Sequence, residues 1–123
     1  MSTLKTANIQ DTSGSNNSTP EQISQGRAKA WITFDGTAGT VSASDSYNFS
    51  SITDDGVGTY TLNFTTPFSN TNYCVTHGGT FAAGNGFYHW YDNQSTTSVQ
   101  LGFIHSGGSY VDVAHVSCVI HGD

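Results

Sequence analysis

Histidine, aspartate and serine are the residue types in this sequence that could perform catalysis or hold a metal ion. Histidines occur at positions 77, 89, 105, 115 and 121. None stands in the His-x-His or His-x-x-x-His spacing that brings two imidazoles to one ion. His115 and His121 would share one face of a strand, but six residues separate them, which is too far for direct chelation. We therefore predict no metal site and leave open a ring of symmetry-related histidines on an oligomer axis.

Asp112, His115 and Ser117 are close in sequence and are the residue types of a hydrolytic Ser-His-Asp triad. On a strand, Asp112 would point away from His115 and Ser117, since successive side chains alternate between faces. No Gly-x-Ser-x-Gly pattern occurs in the chain. The Asp-Asp-Gly run at 54–56 lacks the spacing of an EF-hand loop and predicts a turn. We predict that the protein is not an enzyme and binds no cofactor.

An aromatic cluster at 87–91, Phe-Tyr-His-Trp-Tyr, would make both faces of a strand bulky. Core or subunit-interface packing explains such a cluster. A carbohydrate site explains it as well, because aromatic rings stack on sugars while nearby polar side chains bind hydroxyl groups. If one face is exposed, Tyr88, Trp90 and Asp92 share it and are the candidate receptor or glycan contacts. The sequence leaves both interpretations open.

The charge distribution excludes several classes of partner. Charged residues are 10% of the 123 residues, against about 25% in ordinary soluble domains. All three Lys and Arg residues lie within 1–29, whereas 30–123 contains seven Asp and no Lys or Arg. The net charge of the whole chain is −6. Nucleic acids and anionic membranes recruit cationic surfaces, so neither is a predicted partner. The 12% aromatic content argues against a disordered chain.

The elements that would position these residues divide the chain into two regions. Residues 1–25 are polar and predict an extended arm, with one helical turn over 20–25 that the capping-box spacing of Thr19, Pro20 and Gln22 indicates. Residues 26–123 predict a head domain. Its expected strands are 30–34, 47–52, 59–66, 72–77, 86–91, 98–105 and 110–120. Their spacing and turn residues predict an all-β fold, an antiparallel β-sandwich of about seven strands.

The two cysteines, Cys74 and Cys118, each lie in an apolar strand pattern. Two cysteines do not form a disulfide framework. They fit buried free thiols, which pack as small hydrophobic side chains, or one bridge between neighbouring strands.

Four segments resemble a known group of proteins. They are TLKTANIQDTSG at 3–14, QGRAKAWITFDGT at 25–37, YNFSSITDDG at 47–56 continuing through TYTLNFT at 59–65, and NYCV at 72–75. Together they are similar to small appendage proteins and tail-fibre modules of marine bacteriophages, cyanophages among them. The similarity covers about residues 3–76, and from 80 onward only the strand pattern is shared.

The resemblance implies a phage virion structural protein, a homotrimeric tail-fibre or appendage module without catalysis. The polarity of the 1–25 arm, and the position of all three cations near the start of the chain, predict that the arm anchors the 26–123 head (knob) to other virion proteins. The virion would be assembled in the host cytoplasm. Host-surface adhesion, with a glycan as the expected receptor, would then lie between about 78 and 108. Two alternatives remain: a capsid decoration or head-fibre protein without a receptor role, and a carbohydrate-binding module.

Overall fold

The computed structural model describes residues 1–80 and 86–122. In chain order the elements are β1 (Ile9–Gln10), β2 (Asn17–Ser18), α1 (Pro20–Gly26), β3 (Ala30–Phe34), β4 (Ala43–Tyr47), β5 (Phe49–Gly56), β6 (Thr59–Phe64), β7 (Cys74–Thr80), β8 (Phe87–Asp92), β9 (Ser98–His105) and β10 (Ala114–His121).

Two four-stranded antiparallel sheets make up most of the described chain. The first sheet has the strand order β4-β3-β10-β7, and the second has the order β5-β6-β9-β8. The two-residue strands β1 and β2 pair separately in the arm. The predicted all-β antiparallel fold is confirmed. Within the described residues the two sheets contain eight strands rather than seven.

The core lies between the two sheets, where the inner strands turn their apolar residues toward the opposite sheet. In β6, Tyr60, Leu62 and Phe64 are buried while the intervening residues are half-exposed, as a half-buried antiparallel strand requires. The Phe34 ring meets the Tyr60 ring edge-on across the sheets, with centroids 5.2 Å apart. The remaining buried apolar residues are Ala30, Ile32, Phe68, Tyr73, Val99, Leu101, Phe103, Val113, Val116, Cys118 and Ile120. Each large side chain among them contributes about 1.5–3 kcal/mol by leaving water.

The chain passes from the first sheet to the second at Asn48. A single strand over 47–52 was the expectation, but the structure ends β4 at Tyr47 and begins β5 at Phe49. Asn48 has a φ of 60°, a left-handed conformation that asparagine tolerates better than most residues. Its side-chain amide donates to the Thr66 carbonyl at 3.1 Å and accepts from the Thr66 N–H at 2.7 Å. These two bonds hold the crossover in place.

The turn expected at 54–56 is also shifted. Strand β5 continues through Gly56, and the turn to β6 is formed by Val57 and Gly58. Gly58 has a φ of 66°, and a Cβ there would stand 2.6 Å from the Val111 carbonyl oxygen. Glycine at this position therefore satisfies both a positive φ and a close backbone approach.

The last strand is shorter than the 110–120 prediction, since β10 begins at Ala114. Tyr110 instead forms an isolated bridge with Ile104 of the second sheet, and the Val111 N–H donates to the Phe103 carbonyl. Residues 110–113 thus carry the chain from the second sheet back to the first.

In the arm, the predicted helical turn is confirmed. The Thr19 hydroxyl accepts from the Gln22 N–H, and the Gln22 side chain accepts from the Thr19 N–H, which completes a capping box. Preceding it, β1 and β2 form a small hairpin around Asp11, whose carboxylate accepts from Ser13, Ser15 and Asn16. The hydrogen bond from Ser13 contributes most to holding the pKa of Asp11 below its usual value. The arm boundary at residue 25 stays a prediction.

Both cysteines are free thiols. Cys118 is buried, and burial raises the pKa of its thiol to about 12. Cys74 is exposed, so the expectation of two buried thiols is wrong for this residue. Although β7 and β10 are neighbours, Cys74 lies opposite His121 and Cys118 lies opposite His77. This register keeps the two sulfur atoms apart, so the alternative of a bridge is wrong as well.

Candidate functional site

Strand β8, which carries the aromatic cluster, is an edge strand of the second sheet and pairs with β9 alone among the described strands. Its side chains alternate between two environments. Phe87 and His89 turn inward, with ring centroids 5.9 and 6.5 Å from that of Phe103. The alternate residues therefore lie on the outer face.

The predicted candidates Tyr88, Trp90 and Asp92 share that outer face. Tyr88 is 69% exposed, Trp90 is half-buried and Asp92 is exposed. Asp92 accepts a hydrogen bond from the Asn93 N–H at 2.8 Å, which fixes the carboxylate at the end of the strand. None of the three belongs to the core.

The Trp90 side chain occupies the space that the missing side chain of Gly102 leaves on the outer face of the sheet. Trp90 and Gly102 are direct cross-strand partners. A Cβ on Gly102 would come within 2.1 Å of indole atoms Cε2 and Cζ2, so only glycine lets the indole lie against the β9 backbone. The Tyr110 ring packs edge-on against the indole, with ring centroids 6.5 Å apart and an interplanar angle of 80°. We call Tyr88, Trp90 and Tyr110 the aromatic shelf.

A chain of hydrogen-bonded polar side chains continues from the shelf across the outer face. The Asn93 amide donates to Gln100 Oε1 at 2.9 Å, and the Gln100 amide donates to Asp55 Oδ2 at 3.1 Å. Thr61 also donates to Asp55 Oδ2. We call Asp55, Thr61, Asn93 and Gln100 the polar row. These hydrogen bonds hold the amides and the hydroxyl in fixed positions, and each of these groups can make at least one further hydrogen bond.

On the inward side of β8, two histidines meet across the open edge of the sandwich. His77 Nε2 and His89 Nδ1 are 3.4 Å apart, and the rings stand at 83°. Burial, followed by the nearby His89, lowers the pKa of His77 to about 4, while the Trp90 backbone acts in the opposite direction. A groove of about 390 Å³ opens at this edge, lined by Val75, Thr76, His77, His89, Trp90 and Tyr91.

The residues considered for a triad are not assembled into one. The Asp112 carboxylate accepts from the Gly58 N–H at 2.6 Å and lies 3.0 Å from the Tyr60 hydroxyl. Burial and then Asp112 raise the pKa of Tyr60. Asp112 therefore stabilises the Val57–Gly58 turn through this hydrogen bond and does not orient His115. In the part of the chain that the structure describes, no three His, Cys, Asp or Glu side chains group closely enough to hold a metal ion.

Several site features were not predicted from the sequence. Gly102 and Tyr110 complete the shelf. The sequence did contain a signal for Gly102, because a glycine inside an apolar strand pattern often marks a place where another group approaches the backbone closely. The His77–His89 pair joins different sheets and leaves no local spacing to detect. Within the 78–108 region expected to bind a receptor, residues 81–85 lie outside the described residues.

The comparisons with known proteins bear on the fold. No protein-family model matches the sequence, and no curated protein matches it. Among solved structures, the chain is similar to the phiAB6 phage tailspike, solved in complex with three-repeated oligosaccharides of Acinetobacter baumannii surface polysaccharide. The TM-score is 0.55 and the identity is 13%. The alignment covers 93% of this chain and 22% of the tailspike chain.

The chain thus has the fold of one portion of a phage tailspike and spans about a fifth of that protein's length. Across residues 1–80 and 86–122, no helix combines the length and hydropathy needed to cross a membrane.

Proposed function

We propose that this chain is a non-enzymatic structural module of a bacteriophage virion appendage, of the marine tail-fibre type that its sequence resembles, and that it contacts a host-surface glycan. The observation that carries the proposal is the aromatic shelf beside the polar row on the outer face of the second sheet. The similarity in fold to a tailspike that was solved with surface oligosaccharides supports it.

The chemistry of the outer face suits a neutral glycan. A sugar ring has an apolar C–H face, which packs on an aromatic ring, and a rim of hydroxyls, which bind amides and carboxylates. The indole of Trp90 lies against Gly102 and is partly exposed, and its exposed part would take such stacking. The hydroxyls would meet Asp92 and the polar row. Because residues 30–123 contain no Lys or Arg, charge pairing with an anionic polysaccharide is disfavoured.

The test compares adsorption to host cells with thermal unfolding. Tyr88→Ala removes an exposed ring and should weaken adsorption while leaving the melting temperature unchanged. Trp90→Ala should abolish adsorption. Tyr91→Ala is the matched control, because Tyr91 lies on the same strand but faces the groove near His77. Wild-type adsorption by both Tyr88→Ala and Trp90→Ala, with all variants folded, would refute the glycan role of the shelf.

We further propose that the module is a homotrimer. A head of this length buries only about 60–65% of its unfolded surface, which leaves it marginally stable alone. The outer face of the first sheet has an apolar strip in which Trp31 lies between Tyr47 and Val119 on neighbouring strands. Trp31 is 36% exposed and Tyr47 is 51% exposed. Such a strip fits a subunit interface, and the number three comes from the resemblance.

Light scattering at micromolar concentration measures the oligomer directly. We expect about 39 kDa, three times the chain mass of 13.0 kDa. Trp31→Asp places a charge in the strip and should shift the mass toward the monomer. A stable wild-type mass near 13 kDa would end the trimer proposal.

The arm is the proposed connection to other virion proteins. Residues 1–29 carry all three cations of the chain, and none of the helix side chains is buried. Deleting residues 2–19 should leave a folded head that no longer joins particles. Normal incorporation of the deleted protein would exclude the anchoring role. Labelled particles viewed by electron microscopy would show whether the site of attachment is the tail or the capsid.

A further inference from the structure

A cavity of about 380 Å³ lies at the crossover between the two sheets, away from the residues that the proposed function uses. Its volume falls within the range of about 300–1,000 Å³ that is usual for small-molecule sites. Three segments form its walls: the residue that precedes β3, the crossover between β4 and β5, and the chain that follows β6. They contribute Lys29, Tyr47 and Asn48, and the run 65–68.

Backbone and side-chain hydrogen bonds hold these walls in place. The Asn48 side chain bonds both backbone groups of Thr66, at 3.1 and 2.7 Å, and the Asn48 carbonyl accepts from the Thr65 N–H at 3.1 Å. The Lys29 N–H donates to the Ile120 carbonyl at 2.8 Å, which fixes the base of the lysine side chain. A ligand would therefore have little of the chain to order, which favours binding.

Lys29 gives the cavity a positive charge. Its ammonium group donates to the Ser24 hydroxyl at 3.2 Å, and since an ammonium has three donors, it can bind a further partner. Lys29 is half-buried, and no carboxylate lines the cavity in the part of the chain that the structure describes. In a chain with a net charge of −6, a partly enclosed cation among neutral groups is a favourable position for an anion.

The other lining groups indicate which anion fits. One lysine balances a single negative charge, which matches a carboxylate better than a phosphate group of nearly two charges. Tyr47 is 51% exposed and offers an aromatic ring, while the exposed Thr65 and Thr66 offer hydroxyls that donate and accept. A sugar has an apolar C–H face for the ring and hydroxyls for the threonines. A sugar that also carries a carboxylate would use all of these groups.

We propose that this cavity binds a carboxylate-bearing sugar of the uronic-acid class, with the carboxylate on the Lys29 ammonium and the sugar ring on Tyr47. The sugar hydroxyls bind Thr65 and Thr66. Lys29 lies outside the cation-free stretch 30–123, so the preference of the aromatic shelf for a neutral sugar does not extend to this cavity. The cavity shares no lining residue with the aromatic shelf or the polar row, and the proposal is therefore independent of the glycan role of the shelf.

The experiment titrates methyl β-D-glucuronide into the isotope-labelled full chain and follows the backbone amides by NMR. The amides of residues 47–48 and 65–66 should shift, with a dissociation constant of about 1 mM, as the affinity per atom of small ligands implies. Methyl β-D-glucoside has a hydroxymethyl group in place of the carboxylate. It should bind at least about tenfold more weakly, because the hydrogen bond between the two charged groups is lost.

Substitutions then assign the binding to the lysine. Lys29→Gln removes the charge and should weaken glucuronide binding at least about tenfold, whereas Lys29→Arg keeps the charge and should retain binding. The matched control is Arg27→Gln, which removes an equal charge from an exposed residue that does not line the cavity. Its affinity for the glucuronide should equal that of the wild type. Tyr47 is left intact in every variant, because it also belongs to the apolar strip of the first sheet.

Trp90→Ala separates this cavity from the aromatic shelf, and it should bind the glucuronide as the wild type does. Loss of glucuronide binding in Trp90→Ala would assign the sugar to the shelf and overturn the proposal. Absence of amide shifts in the wild type, equal affinity for the glucoside, unchanged affinity in Lys29→Gln, or loss of binding in Arg27→Gln would each overturn it as well.

Discussion

Replacing Gly102 by alanine is the sharpest perturbation of the aromatic shelf. The backbone at this glycine lies outside the positive-φ region, and the added Cβ would stand 2.1 Å from two indole carbons of Trp90. Alanine therefore introduces no backbone strain, and its effect comes from the side-chain contact alone. We expect the indole to tilt away from the sheet and to lose its contact with the β9 backbone.

The expected cost follows from the surface that the indole would expose. A fully buried tryptophan hides about 150–250 Å². Trp90 is half-buried, so tilting would return about 60–80 Å² to water, worth about 1.5–2 kcal/mol at ~25 cal/mol per Å². Alanine in a strand recovers about 0.5–1 kcal/mol relative to glycine. The net destabilisation of Gly102→Ala should be about 1 kcal/mol.

A double-mutant cycle isolates the contact. With Trp90→Ala present, the new Cβ meets no indole, and Gly102→Ala should stabilise the protein by about 0.5–1 kcal/mol. The coupling between the two sites should therefore be about 1.5–2 kcal/mol. Urea unfolding of the four proteins measures it. Gly78→Ala in β7 is the control, because nothing lies within 4 Å of its Cβ position. Additive effects of the two substitutions would show that the indole does not rest on Gly102.

Three further outcomes are expected. Tyr60→Phe should lower the free energy of unfolding by about 1–2 kcal/mol in urea melts, because the Asp112 carboxylate loses a buried partner; an unchanged midpoint would contradict this. At pH 8, Cys74 should react rapidly with a thiol reagent while Cys118, whose pKa is raised to about 12, reacts only on unfolding; equal rates would show that Cys118 is accessible. Asn48→Ala should cost about 1–3 kcal/mol, because it strains a positive φ and removes two hydrogen bonds, whereas Asn48→Gly should relieve the strain and cost less in the same urea melts.

Sequence patterns predicted those elements whose stability comes from local signals. The alternation in β6 and β9 identified buried strands, because one face of each is apolar. The Thr19 capping box identified the helix for the same kind of reason. Strand β4 was missed, since Ala43–Tyr47 is polar and mostly exposed and has no apolar period to detect. Its pairing with β3 stabilises it as an edge strand.

For the candidate site, the alternation of side chains with a period of two is enough to predict that Tyr88, Trp90 and Asp92 share one face of a strand. It did not determine which face is turned to the core, because both are bulky. The packing of the two sheets fixes that face, because β8 is an edge strand whose inward side packs on Phe103. The Trp90–Gly102 contact depends on strand register, and the His77–His89 pair depends on how the two sheets pack. Neither relation is encoded in local spacing, because each joins residues that only the folded chain brings together.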